Sequence, residues 1–343
     1  MAWTLTSVVA RALRPLGWGR RWLADDAVAR AEALVPASVG AAARAWERRV
    51  TASSLADRRA LETALAELAD DGDVIIRAGA TGAPIDAIAA LASSWAKLHA
   101  DAKAAARDPF AVAGVRSQGP VAFGIVTARQ VDQTTCGAAV LGMLHAAADP
   151  FVAIWIVTGR YFAGYTPEAV AAAIISGGAE RGDIEGRWRA LQRGQHVEAT
   201  ENALGPFPWP RALGTPPWTA ARLASPFGIR YRSAMLDDRS PEAAEAMVAH
   251  SSAAIADGLP VVLYSGGDSD LGLETVVPRH VVLLVAATDE GFLAYEPGRG
   301  ALVPLRRDAF GGAAPRDDGR RRPGLGDWSR VAWLVLPSPS PSV

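Results

Sequence analysis

Cysteine is almost missing from this chain: there is one, Cys136, in 343 residues. A single thiol excludes an intramolecular disulfide framework. It gives no sign of an oxidising compartment and fits the cytoplasm better. Long apolar runs are missing as well. The most apolar stretch, FVAIWIVTG from Phe151, is far too short to cross a bilayer. The N-terminal MAWTLTSVVARALRPLGWGRRW carries arginines but no apolar run of signal-peptide length. Net charge is −1, so no global field favours nucleic acid or an anionic membrane. No GxxxxGK-S/T phosphate loop occurs. Lysine is scarce while alanine, glycine and arginine abound, a pattern of GC-rich coding rather than chemistry. These absences predict a soluble, cytoplasmic protein with no nucleic-acid partner, no membrane span and no cofactor.

What is present is ordinary for a globular protein, with 50% hydrophobic and 21% charged residues. The length suffices for two modest domains or one large one with a substantial core. No repeat of fixed period is visible. Residues 1 to about 115 read as an all-helical extension. SLADRRALETALAELADDG places Leu61, Leu65 and Leu68 on one face, with Ser54 as N-cap. PIDAIAALASSWAKL repeats the pattern through Ile85, Ile88, Leu91, Trp95 and Leu98.

The character changes near Pro120. VAFGIVT (121–127) is short and β-prone. CGAAVLGMLHAAADP predicts a helix from Cys136 that ends before Pro150. TPEAVAAAIISGG predicts another, with Thr166 capping, Pro167 in the first turn and Gly177 past the end. A further helical run covers roughly 182–204. GPFPWPRALGTPPWT must be largely irregular, because proline interrupts helix and central strand alike. IRYRSAML (229–236) reads as a strand. SPEAAEAMVAHSSAAIADGLP reads as a helix capped by Ser240 and closed by Gly258. The remainder is β: VVLYS (261–265), a hairpin of HVVLLVAA (280–287) and FLAYEP (292–297), ALVPL, and RVAWLVL (330–336). GGAAPRDDGRRRPGLGD reads as a charged loop and 338–343 as a disordered tail. Helices first and an antiparallel sheet last is an α+β order, not alternating βαβ.

Cys136 stands at the predicted start of a helix. A thiol attacks as thiolate, and a helix N-terminus favours the anion. Thr134 and Thr135 precede it as capping residues. Gly137 and Ala138 keep the first turn narrow enough for a substrate backbone. A nucleophilic cysteine also needs a base. His145 lies nine residues along the same helix, roughly 13 Å by helical rise, too far to hydrogen-bond. His99 and His250 sit within predicted amphipathic helices and His196 in a polar helical run. Only His280 opens a strand, at the rim of a sheet.

QVDQTTCGAAVLGML, followed far downstream by RHVVLLVAATDEGFLAYEPGRG, resembles the papain-like cysteine peptidases of the C39 family, the bacteriocin leader-processing group. The shared pattern is a Gln six residues before Cys-Gly-x-Ala, then a His opening a strand, a hairpin, and an acidic residue followed by Pro. ADGLPVVLYS and RVAWLVL fit around it, so the resemblance covers roughly 120–337 with a weakly matching middle. It implies a papain-like fold over 116–337, a catalytic helix packed on an antiparallel sheet; the interval from Cys136 to His280 is longer than the family's usual one, which places an insertion at about 150–240, a candidate lid or specificity insert. It implies Cys136 as nucleophile, His280 as base and acid, Gln130 as oxyanion donor beside the Cys136 N–H, and Glu296 as the residue orienting His280. The family's third residue is usually Asp or Asn, so Glu296 is one methylene longer. Asp289, in the hairpin turn, is a poorer alternative at the opposite end of the sheet. No transmembrane region or ATP-binding motif accompanies the match, so the transporter-fused form is not expected.

The implied activity is hydrolysis of a peptide or isopeptide bond, with a peptide or protein as substrate. Two alternatives stand beside it: a non-catalytic papain-like peptide-binding module, and a papain-like transferase or deamidase. The N-terminal helical region is a candidate surface for a partner protein. Other motifs carry less. Gln133 competes with Gln130 but sits three residues from Cys136, and Asp132 reads as a turn former. HVEATE lacks the two-histidine spacing of a zinc helix. YSGGDSDLG does not open a helix. The arginine run 320–322 reads as a solvated loop, and Trp209 and Trp218 pack the proline-rich segment onto the body.

Overall fold

The computed structural model describes residues 4–13, 40–111, 114–176, 183–267, 277–311 and 321–338. A first helix, α1 (Leu5–Leu13), precedes five helices of the N-terminal layer: α2 (Ala41–Ala52), α3 (Leu55–Leu68), α4 (Gly72–Ala80), α5 (Ile85–Ser94) and α6 (Ala100–Arg107). Their faces follow the apolar spacing. Ser54 caps α3 by accepting the Asp57 N–H at 3.1 Å. Leu61, Leu68, Ile88, Leu91, Trp95 and Leu98 are buried. His99 departs from expectation. It is the N-cap of α6, and its Nδ1 accepts from the Asp101 N–H at 3.4 Å rather than sitting within a helix.

VAFGIVT folds into a two-residue-per-strand hairpin, β2 (Ala122–Phe123) and β3 (Val126–Thr127), turning at Gly124 and Ile125. It follows the short β1 (Gly119–Pro120). Helix α7 (Cys136–Ala148) then bends by 112° into α8 (Pro150–Thr158) at Asp149, whose side chain accepts the Phe151 N–H. Among the described residues no single helix is long and apolar enough to cross a membrane. Helix α9 (Glu168–Ile175) has Pro167 as its N-cap position, so Thr166 does not cap it. Gly177 lies outside the described residues. Helix α10 (Ile184–Thr200) is capped by Asp183. The segment 201–216 is irregular apart from one 3-10 turn at Arg211–Leu213, as its prolines require. Helix α11 (Pro217–Leu223) closes it. Helix α12 (Pro241–Ala256) starts with Ser240 accepting the Ala243 N–H at 3.2 Å.

The strands β4 (Tyr231–Met235), β5 (Val261–Gly266), β6 (His280–Thr288), β7 (Gly291–Glu296), β8 (Ala301–Arg306) and β9 (Arg330–Pro337) join β1 in one sheet, ordered β1-β8-β7-β6-β5-β9-β4. Every pairing is antiparallel. The molecule is therefore α+β with an antiparallel sheet. β5 and β7 are buried at every position, so side chains on both faces of the sheet are covered. Helix α7 packs against β6, and α12 against β6, β5 and β9.

The N-terminal helices do not stand apart. Phe151, Ile154 and Phe162 share one apolar cluster with Leu61, Ile75 and Leu91. Arg44 forms a bidentate ion pair with Asp257 at the end of α12, at 2.7 and 2.5 Å. Helix α1 lies against β4 and β9, where Ser7 Oγ donates to Asp238 at 2.6 Å and Arg11 to Asp237 at 3.3 Å. The charged loop and the tail fall largely at 312–320 and 339–343, outside the described residues. Within the arginine run, Arg322 pairs with Asp308 at 2.8 Å.

Candidate active site

The structure brings Cys136, His280, Glu296 and Gln130 to one end of the sheet. Cys136 is the first residue of α7 and 4% exposed, at the floor of a cleft of about 1030 Å³ that His280 and Gln130 also line. The N–H groups of a helix's first turn have no intrahelical acceptor. Thr135 occupies the N-cap position without covering them. Its hydroxyl turns back to the Asp132 carbonyl at 3.0 Å, so neither threonine caps α7 as expected. Asp132 is a turn former, accepting the N–H and the hydroxyl of Thr134 at 2.7 Å each.

His280 opens β6 and Glu296 ends β7. Leu283 pairs with Tyr295. Continuing that register sets Val282 opposite Glu296 and His280 two residues further on the same face. Such diagonal neighbours stand about 7–8 Å apart, within reach of longer side chains. The extra methylene of Glu over Asp suits that span. The His280 Nε2–Glu296 Oε1 distance is 2.6 Å. With Nε2 so engaged, Nδ1 is the ring nitrogen not taken by Glu296, and Cys136 lies close enough to act electrostatically on the imidazole.

Burial alone would push the imidazole down. The hydrogen bonds and charges of Cys136 and Glu296 outweigh it and raise His280 to about 9. Glu296, 2% exposed, would be raised by burial. The His280 hydrogen bond and charge, with the Gly298 and Arg299 N–H groups at 2.9 and 2.7 Å, hold it below the usual carboxylate range. None of the other four histidines lines the cleft, and burial pushes His196 down. Burial pushes His145 down to about 4 against Gln195, and the His250 ring meets the Pro337 carbonyl at 3.2 Å. Asp289 belongs to the turn at the far end of β6.

Gln130 sits in a loop fixed from several sides. Its own N–H donates to Pro297 O at 2.8 Å, next to Glu296. Buried Gln192 on α10 accepts the Val131 N–H at 2.9 Å and donates to Arg129 O at 3.0 Å, where Trp188 Nε1 also donates at 2.8 Å. The Gln130 amide donates one hydrogen to Asp132 O at 2.7 Å and keeps the other. Gln133 lines the same cleft but is exposed.

Some contributors have no signal in the sequence. Gly326 is one. A Cβ there would lie 2.2 Å from His280 Cδ2, and its φ is +64°. The turn that carries it is tied to the Glu296 end of the sheet by Arg299, which donates to both Asp327 carboxylate oxygens at 2.8 and 2.7 Å. Its only hint in the sequence is GLGD within the segment that reads as a charged loop. Tyr264 is another. It lines the cleft and feels the charge of Cys136, and its hydroxyl donates to Thr215 O at 3.0 Å. Trp209 and Trp218 meet edge-to-face at 5.3 Å, pack the proline-rich segment inward and line the cleft at once.

No family model, curated protein or solved structure matches this chain.

Proposed function

We propose that this protein is a papain-like cysteine hydrolase that cleaves a peptide or isopeptide bond through Cys136. The observation that carries the reading is that Cys136 and His280 line one cleft, with 2.6 Å between His280 Nε2 and Glu296 Oε1. A structural cysteine needs no such partner, and burying a charged pair without use is costly.

The chemistry balances on these residues. The thiol proton passes to His280, and the sulfur attacks the carbonyl carbon. The oxyanion forms between the Cys136 N–H and the remaining Gln130 amide hydrogen, donors that each contribute about 3 kcal/mol at such sites. The C–N bond breaks as His280 protonates the leaving amine. Water, deprotonated by His280, then opens the thioester, releasing the acid and restoring the thiol. Glu296 holds the imidazolium in place throughout.

Iodoacetamide labelling, followed by intact-mass spectrometry, tests the reading. Cys136 should label rapidly near pH 7, and C136A not at all. H280A should slow labelling by about 10²-fold or more, the usual scale for losing a positioned base. Equal, slow labelling of wild type and H280A would refute it.

A further inference from the structure

The proline- and tryptophan-rich segment places one buried hydroxyl beside the thiol. Thr215 is 4% exposed and lines the cleft. Its carbonyl is satisfied by Tyr264, but among the described residues its Oγ1 has no hydrogen-bond partner. The side chain rests directly on the first turn of α7. A Cβ added at Gly137 would lie 2.6 Å from Thr215 Cβ and 2.7 Å from Oγ1. The hydroxyl thus stands one residue from Cys136, over backbone that only glycine leaves open.

A buried, unpaired hydroxyl costs about 1–3 kcal/mol, so its presence in a cleft points to an acceptor brought by a ligand. The indole nitrogens of Trp209 and Trp333, on the same cleft, are also buried without partners among the described residues. Between these donors the walls are large and apolar, formed by Trp218, Met235, Val277 and Trp328. A cleft of about 1030 Å³ with such walls exceeds what a glycine-sized residue would fill.

We infer that Thr215 is a substrate-positioning residue. Its hydroxyl donates to a backbone carbonyl of a peptide whose residue beside the cleaved bond is large and apolar, and the tryptophan walls take that side chain. This rests on Cys136 being the nucleophile.

The test uses N-acetyl dipeptide vinyl sulfones with Phe, Gly or Lys next to the warhead, each rate taken relative to iodoacetamide on the same protein. The Phe probe should modify Cys136 at least about tenfold faster than the Gly or Lys probes, a modest discrimination for an apolar pocket. T215V should weaken the saturation constant for the Phe probe about tenfold, the cost of one lost hydrogen bond. T215S, which keeps the hydroxyl, should restore it. T215A gives the same comparison if the valine variant melts early. A Gly or Lys preference, or a T215V constant equal to wild type, overturns the inference alone when iodoacetamide labelling remains His280-dependent. Loss of that dependence overturns the underlying reading and the inference with it.

Discussion

At the scale of single residues, Glu296 decides how the site behaves. A glutamate here spans a diagonal across β6 and β7, and its Oε1 reaches His280 Nε2 at 2.6 Å. Folding favours the protonated imidazole, because His280 rises from 6.5 to about 9. Its stabilising contribution is complete below 6.5 and is lost as pH rises through about 9. Glu296 is held low, so its contribution is present above the ordinary carboxylate value of 4.5 and is lost as pH falls through its folded one. Glu296→Gln keeps an acceptor and removes the charge. The His280 midpoint should then fall from about 9 toward 6.5, observed by NMR titration of the imidazole. An unchanged midpoint would mean the carboxylate does not act on the ring. Cys136, His280 and Glu296 were legible in the sequence because each sits at an element boundary that local signals mark. Gly326 and Thr215 were not, because nothing local distinguishes a loop glycine that faces a ring from one that faces water.

At the scale of elements, the site is a junction of α7, the ends of β6 and β7, and two irregular segments. Helix and strand positions were readable from periodicity and caps, as at Ser54 and Ser240. The caps at Thr135 and Thr166 were not realised, since the Asp132 turn takes the Thr135 hydroxyl and Pro167 takes the N-cap position of α9. The 323–327 turn presses Gly326 onto His280 and is tied through Arg299 to the Glu296 end of β7. Gly326→Ala adds a methyl 2.2 Å from the ring and demands a positive φ from alanine, at a cost of about 1 kcal/mol. Melting temperature should drop by at least the few degrees that the positive φ implies, and iodoacetamide labelling of Cys136 should slow about tenfold or more as the imidazole is pushed off line. Labelling at the wild-type rate would show that the turn does not set the ring.

At the scale of the whole molecule, the helical layer and the sheet share their interior. Arg77 on α4 is buried. It donates to Ala147 O near the end of α7 at 2.9 Å, to Arg107 O at 2.8 Å and to Ala106 O, while its Nε meets Asp73 at 2.9 Å. Removing the guanidinium takes a donor from three carbonyls, of which that of Ala106 is buried. Arg77→Met should lower unfolding free energy by about 2–4 kcal/mol in a single urea transition. Two separated transitions in the wild type would contradict a shared core. The amphipathic spacing of α3 and α5 announced buried faces, but it could not say that Phe151 and Ile154 of α8 would cover part of them. That depends on the 112° bend at Asp149, which sends α8 toward the N-terminal layer.

The sequence by itself determined the order of elements, the helix start at Cys136, the strand start at His280 and the acidic residue before Pro297. Those are local matters of period, capping and turn chemistry. Only the tertiary structure decided that imidazole and carboxylate meet beside the cleft that the thiol lines, that Gln192 and Arg299 brace their loops, and that Thr215 covers Gly137. Each of these joins residues at least 16 positions apart, and such pairings follow from sheet register and helix packing, which no short window of sequence contains.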